Sequence, residues 1–158
     1  IKKDMVEARE YYGPNVRTMF LPAGNTIAMR TQDLAEVCRF ARSTFPGLKR
    51  ITVYGSSHFI HMKGLKQLEE LADAGLRRIH VGLESGDDII LKRICKGTHA
   101  QEQIEAGQWV MAAGIELSLY VILGIGGQER TVSMQLRQPV QLMKLYLTMS
   151  GYALLCRR

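Results

Sequence analysis

The chain has 158 residues, 46% of them hydrophobic, and a net charge of +6 at pH 7. That composition excludes a disordered or low-complexity polypeptide and fits one domain with its own core. No window is long and apolar enough to span a membrane, and "IKKDMVEARE" lacks the apolar stretch of a secretory signal, so a cytoplasmic chain is expected.

The charge is unevenly placed. Residues 131–158 hold Arg137, Lys144, Arg157 and Arg158 and no acid, which leaves the rest of the chain nearly balanced. A polyanion surface needs a basic face rather than a basic tail, so nucleic acid is not an expected partner. Cys38, Cys95 and Cys156 are far apart with no CxxC spacing, which indicates buried thiols rather than a disulfide framework or a zinc site. His58 and His61 stand three apart with no other ligand type clustered near them, and they read as polar groups of a loop.

In chain order, Ile1, Met5, Ala8 and Tyr12 share a helical face that ends at Gly13-Pro14, and Val16 to Leu21 reads as a strand. Thr31 can cap a helix with the face Leu34, Val37, Cys38, Ala41 and Phe45, and after Pro46-Gly47 the segment Lys49 to Tyr54 is a strand. Leu65, Leu68, Leu71 and Ala72 mark the next helix, which ends at Gly75 before a strand over Arg77 to Leu83. A short helix from Asp87 to Cys95 precedes a longer one, for which Thr98 and Gln101 form a capping-box pair and Gly114 is the end. Ile115 to Gly124 then reads as a strand.

Helices alternating with strands over short connections predict an α/β fold with a parallel sheet, either doubly wound or a barrel, with ligands at the carboxyl ends of the strands. Four edges therefore hold the candidate chemistry. "GIGGQE" is not a dinucleotide loop, because GxGxxG from Gly124 would need glycine where Glu129 stands, and no GK[ST] follows. Its glycines would let a ligand approach the backbone, or form a plain turn. "PAGN" offers Gly24 and Asn25, a small polar group for an amine or carboxylate. In "GLESGDD" Ser85 can cap the next helix, which leaves Glu84 for ribose hydroxyls or for an ion pair with Arg77 or Lys63.

Together "RTMFLPAGN", "RRIHVGLESGDDIILKRICKG" and "QEQIEAGQWVMAAGIELSLYVILGIGGQE" resemble the central part of radical S-adenosylmethionine enzymes, especially those like anaerobic coproporphyrinogen oxidase. The resemblance covers residues 1–130 and implies a partial parallel (β/α) barrel, a fragment of a (β/α)6 barrel. In such a barrel S-adenosylmethionine lies across the strand ends and is reductively split to a 5′-deoxyadenosyl radical. It implies that Gly24 and Asn25 hold the methionine amino group, although Ala23 stands where the family tends to have an acid. Glu84 and Ser85 match the ribose motif. Ile122 and Gly124 match part of the GxIxGxxE pattern beside the adenine, with Tyr120 in place of its first glycine and Gly127 in place of its acid.

The family also implies a [4Fe-4S] cluster on CxxxCxxC and an electron donor such as flavodoxin or ferredoxin. This sequence has no such triplet, so the expectation is an N-terminus that lost it and a chain inactive by itself. After Glu129 the resemblance stops. Read from the third base of each codon, Met134-Gln135 forces alanine and Met143-Lys144 forces glutamate, and permitted codons turn the stretch into a family-like continuation. Residues 131–158 are therefore expected to be an aberrant, frameshift-derived tail. Open sheet edges would invite association. The alternatives are a non-catalytic αβ fragment or an unrelated barrel enzyme with a phosphate-bearing substrate.

Overall fold

The computed structural model describes residues 1–122 and 124–127, so the expected boundary near residue 130 and the tail after it lie outside the described residues. The elements are α1 (Lys2–Tyr12), β1 (Thr18–Leu21), a 3-10 turn (Thr26–Ala28), α2 (Thr31–Thr44), β2 (Arg50–Gly55), α3 (Ser57–Ala74), β3 (Leu76–Glu84), α4 (Asp88–Arg93), α5 (Ala100–Ala112) and β4 (Glu116–Val121). The four strands form one sheet in the order β1-β2-β3-β4, and every neighbouring pair is parallel. This is the expected α/β arrangement.

The helical faces follow the apolar spacing. Leu34, Val37, Cys38, Ala41 and Phe45 are all buried, as are Leu68, Leu71 and Ala72 of α3. They pack with Ile51 and Val53 of β2, Ile79, Val81 and Leu83 of β3, and Leu117, Leu119 and Val121 of β4 in a single core. Of the face proposed for α1, Met5 is buried and Ala8 packs at the edge of the core, while Ile1 and Tyr12 stay exposed. The reason is that α1 rests mainly on α2.

Several local expectations are corrected. Thr31 is the first helical residue of α2 and not its cap; its hydroxyl instead meets Gln67 and the Lys63 ammonium. His58 and His61 lie on α3, because Ser56 starts that helix early and Gly64 absorbs a kink at φ 69° that no side-chain-bearing residue adopts readily. The cap of α5 falls one residue later than Thr98 and Gln101: Glu102 accepts the His99 backbone N–H at 3.0 Å and the Thr98 hydroxyl at 2.8 Å. Those two bonds, with the backbone one the larger influence, hold the Glu102 carboxyl below its ordinary range. Cys38 is buried, and burial pushes its thiol up to about 11, but Cys95 is exposed.

Gly75 ends α3 in the left-handed region at φ 115°, so the expected glycine cap is a conformational requirement. Along β3 and β4 the burial alternates. One face carries the aliphatic residues against the helices. The other carries Arg78, His80, Gly82 and Glu84 on β3 and Glu116, Ser118 and Tyr120 on β4, all half-buried. A parallel sheet covered on both faces would read as a continuous apolar run, so this polar face is the one left for chemistry.

Leu68 is fully buried in the core. Leu68→Ala is expected to cost about 2–5 kcal/mol in urea unfolding, while Tyr11→Ala, at an exposed site, stays within about 0.5 kcal/mol.

Candidate functional site

At the carboxyl ends of the strands lies a cleft of about 320 Å³. Gly24 and Asn25 reach it from the turn after β1, Tyr54, Gly55 and Ser56 from β2, His80, Gly82 and Glu84 from β3, and Tyr120 from β4. Lys96 enters from the loop after α4. A larger hollow of about 460 Å³ sits between the start of α2 and α3. Its cations are already engaged: Arg30 on Asp33 at 2.7 Å, and Lys63 on the Met29 carbonyl at 2.7 Å. The strand-end cleft is the better candidate, since it lies where parallel α/β sheets receive ligands, at the carboxyl ends of the strands.

The centre of the cleft is an ion pair. The Lys96 ammonium lies 3.2 Å from Glu84 Oε1, and the two side chains are only 20% and 22% exposed. Neither Arg77 nor Lys63 is the partner: Arg77 donates to the Ala72 carbonyl at 2.6 Å, and Lys63 is held as described above. The pair folds back over Gly82. A Cβ on that residue would sit 2.6 Å from Glu84 Oε1 and 3.1 Å from the Lys96 ammonium, so a side chain there would displace these two flexible ends.

Both charged residues are delivered by backbone in the left-handed region. Glu84 itself has φ 62°, and Cys95, just before Lys96, has φ 53°. Between them α4 is fixed at both ends. Asp87 caps it by accepting the N–H groups of Ile89 (2.8 Å) and Ile90 (3.3 Å). At its far end the Cys95 N–H reaches the Lys92 carbonyl (3.2 Å) and the Lys96 N–H reaches that of Leu91 (3.0 Å). This is a Schellman closure with cysteine where glycine is usual. A six-residue helix thus returns the chain so that residues 84 and 96 meet.

Of the sequence-derived candidates, Gly24, Asn25 and Glu84 line the cleft. Asn25 also ties β1 to β2, since its Oδ1 accepts the Ser56 N–H at 3.2 Å and its Nδ2 donates to Ser56 Oγ at 3.4 Å. Ser85 is fully buried beneath the cleft and does not cap α4; its hydroxyl accepts the Asp87 N–H at 3.1 Å. Ile122 is 48% exposed, and its N–H donates to the Glu84 carbonyl at 3.1 Å, joining the end of β4 to β3. Gly124, at φ 82°, follows on the exposed side and is not among the cleft-lining residues. Glu129 lies outside the described residues.

Sequence reasoning missed Lys96 and the ring row on the open face. Phe20 meets Tyr54 edge-on at 4.9 Å between centroids, Tyr54 lies 5.8 Å from His80, and His80 lies 5.5 Å from Tyr120. The row has one ring per strand, and no sequence motif marks it.

His80 Nδ1 is buried without a hydrogen-bond partner among the described residues. Burial, with help from Arg78 and Arg50 and against Glu116, lowers the pKa of His80 from its ordinary 6.5. The neutral ring is thus the form the fold prefers. Its contribution is complete above the ordinary pKa and is lost as pH falls below it. Between about pH 7 and about pH 5, the urea midpoint should fall less for His80→Phe than for the wild type.

No helix among the described residues is long and apolar enough to cross a membrane, and no group of three or more metal-ligating side chains occurs among them. No curated protein matches the chain by sequence. Among solved structures, methylornithine synthase (PylB) aligns with a TM-score of 0.65 at 14% identity, covering 87% of this chain and 40% of that one. Coproporphyrinogen III oxidase (HemN) from Escherichia coli, a radical SAM enzyme, gives 0.67 at 12%, covering 89% and 34%. The cobalamin-dependent S-adenosylmethionine radical enzyme OxsB gives 0.59 at 20%, covering 84% and 21%. The chain thus spans between 21% and 40% of the length of each, and at these identities the likeness concerns the fold. Residues 3–131 match the Radical SAM superfamily. With the parallel sheet and this match in hand, the chain belongs to the radical S-adenosylmethionine superfamily.

Proposed function

We propose that the strand-end cleft binds S-adenosylmethionine. The observation that carries this reading is the shielded Glu84–Lys96 pair over Gly82, with the Asn25 amide on the opposite wall. A zwitterionic nucleoside has complementary groups for each part. Lys96 suits the methionine carboxylate, and Glu84 suits the ribose hydroxyls as a charged acceptor. The backbone at Gly24 and the Asn25 amide oxygen suit the ammonium. Tyr54 and Tyr120 offer ring surface to the sulfonium, a cation that aromatic faces attract. Ser85 acts from below by fixing the turn, and Ile122 and Gly124 are assigned to the adenine side.

A family member with its [4Fe-4S] cluster bound and an electron donor such as a flavodoxin or ferredoxin would gain from that cluster the one-electron chemistry that cleaves S-adenosylmethionine. The residues here do not fit such a cluster. The sequence has three cysteines and no CxxxCxxC, and the two described ones are a buried residue on α2 and an exposed one after α4. The proposed role of residues 1–130 is therefore ligand binding without radical initiation by this chain alone, with residues 131–158 outside that unit.

Calorimetry with S-adenosylhomocysteine should give saturable binding. Glu84→Ala and Lys96→Ala should each weaken it about 10- to 100-fold, equivalent to about 1.5–3 kcal/mol, and Tyr11→Ala should not. Binding unaffected by both cleft variants would refute the assignment. A second outcome concerns chemistry: anaerobic incubation of the chain with iron, sulfide, S-adenosylmethionine and dithionite should yield no 5′-deoxyadenosine above the protein-free blank. Catalytic amounts would contradict the reading.

A further inference from the structure

Glu84 occupies a backbone state that few non-glycine residues adopt, and something must hold it there. The Ser85 N–H donates to the Leu83 carbonyl at 2.8 Å, which closes a three-residue γ-turn around Glu84 at φ 62°. Turns of this hand are rare and persist only where the surroundings over-determine them. The Leu83 carbonyl accepts a second bond, from Gln103 Nε2 on α5 at 3.1 Å.

Gln103 is only 3% exposed, and it is not among the residues that line the cleft. Its other amide atom, Oε1, is buried with no partner among the described residues. That makes it a poor choice for packing alone, since an unpaired buried oxygen costs stability that leucine or methionine would not. The bond to Leu83 is what the glutamine contributes.

We propose that Gln103 is a positioning residue: by occupying the second lone pair of the Leu83 carbonyl, it locks the γ-turn at Glu84. It thereby fixes where that carboxylate stands relative to Lys96. The consequence for ligand affinity rests on the adenosyl reading above; the consequence for the turn does not.

The test compares Gln103→Met, which keeps length and removes the donor, with the wild type and with the same change in a Glu84→Gly background. Glycine adopts a positive φ without strain, so there the turn should no longer need Gln103. Amide hydrogen exchange is read at Ser85 and, as a core reference, at Val53. Gln103→Met is expected to speed exchange at Ser85 roughly five- to tenfold, to leave Val53 unchanged, and to leave the urea midpoint unchanged or raised. In the Glu84→Gly background the same change should alter Ser85 exchange less than about twofold. S-adenosylhomocysteine affinity should drop roughly five- to tenfold in Gln103→Met alone.

Unchanged Ser85 exchange in folded Gln103→Met overturns the proposal, as does an equal rise at Ser85 and Val53 with a lowered midpoint. If Gln103→Met does not fold, Gln103→Leu takes its place; if neither folds, Gln103 is a core residue and the proposal fails. Absence of S-adenosylhomocysteine binding to the wild type refutes the adenosyl reading only, and the exchange results still decide the role of Gln103.

Discussion

A carboxylate and an ammonium held 3.2 Å apart over a glycine, at the end of a central strand, set the demands that the surrounding chain meets. Bringing two largely shielded charges together is costly unless each is compensated and oriented. β3 ends with Glu84 turned back over Gly82 at a positive φ. The chain must then return within twelve residues with a cation, which requires a helix as short as α4, a buried aspartate at its start and a Schellman closure at its end. Ser85, Asp87 and Gln103 are polar and nearly or fully buried, and all three serve this one loop.

The rest of the sheet supports that loop from the sides. The N–H of Ile122 reaches the Glu84 carbonyl, so β4 secures the turn from one flank. On the other, the Asn25–Ser56 bonds tie β1 to β2 and fix the opposite wall of the cleft. α5 packs on α3 and also donates to the end of β3 through Gln103, so the helical layer and the site share a member. Loop placement by a rigid scaffold is how an α/β sheet normally turns packing into recognition.

Much of the scaffold was legible in the sequence because it is governed by periodicity. The α2 face depends on side-chain hydrophobicity alone and appears as read. Asn25 and Glu84 were legible because they are polar residues ending apolar strands. Lys96 was not. The closure that aims it uses Cys95 in a conformation where a glycine would have been the signal, and the visible glycine, Gly97, stands two positions later. The early start of α3 was hidden for the converse reason: Gly64 looks like a break but is absorbed as a kink, which moved His58 and His61 from an expected loop onto a helix. Ser85 was misassigned because serine and aspartate compete for one cap, and Asp87 sits at the right distance from the Ile89 and Ile90 N–H groups.

As proposed, one cleft at the strand ends receives an adenosyl ligand between Asn25 and Lys96. Backbone amide shifts recorded during titration with S-adenosylmethionine test that placement. The largest shifts are expected together on Asn25, Ser56, Glu84, Ser85, Lys96 and Ile122, which include all four strand ends, and not on the helical layer. Saturable shifts confined to the hollow beside Arg30 and Lys63, or none at any of the strand ends, would contradict it.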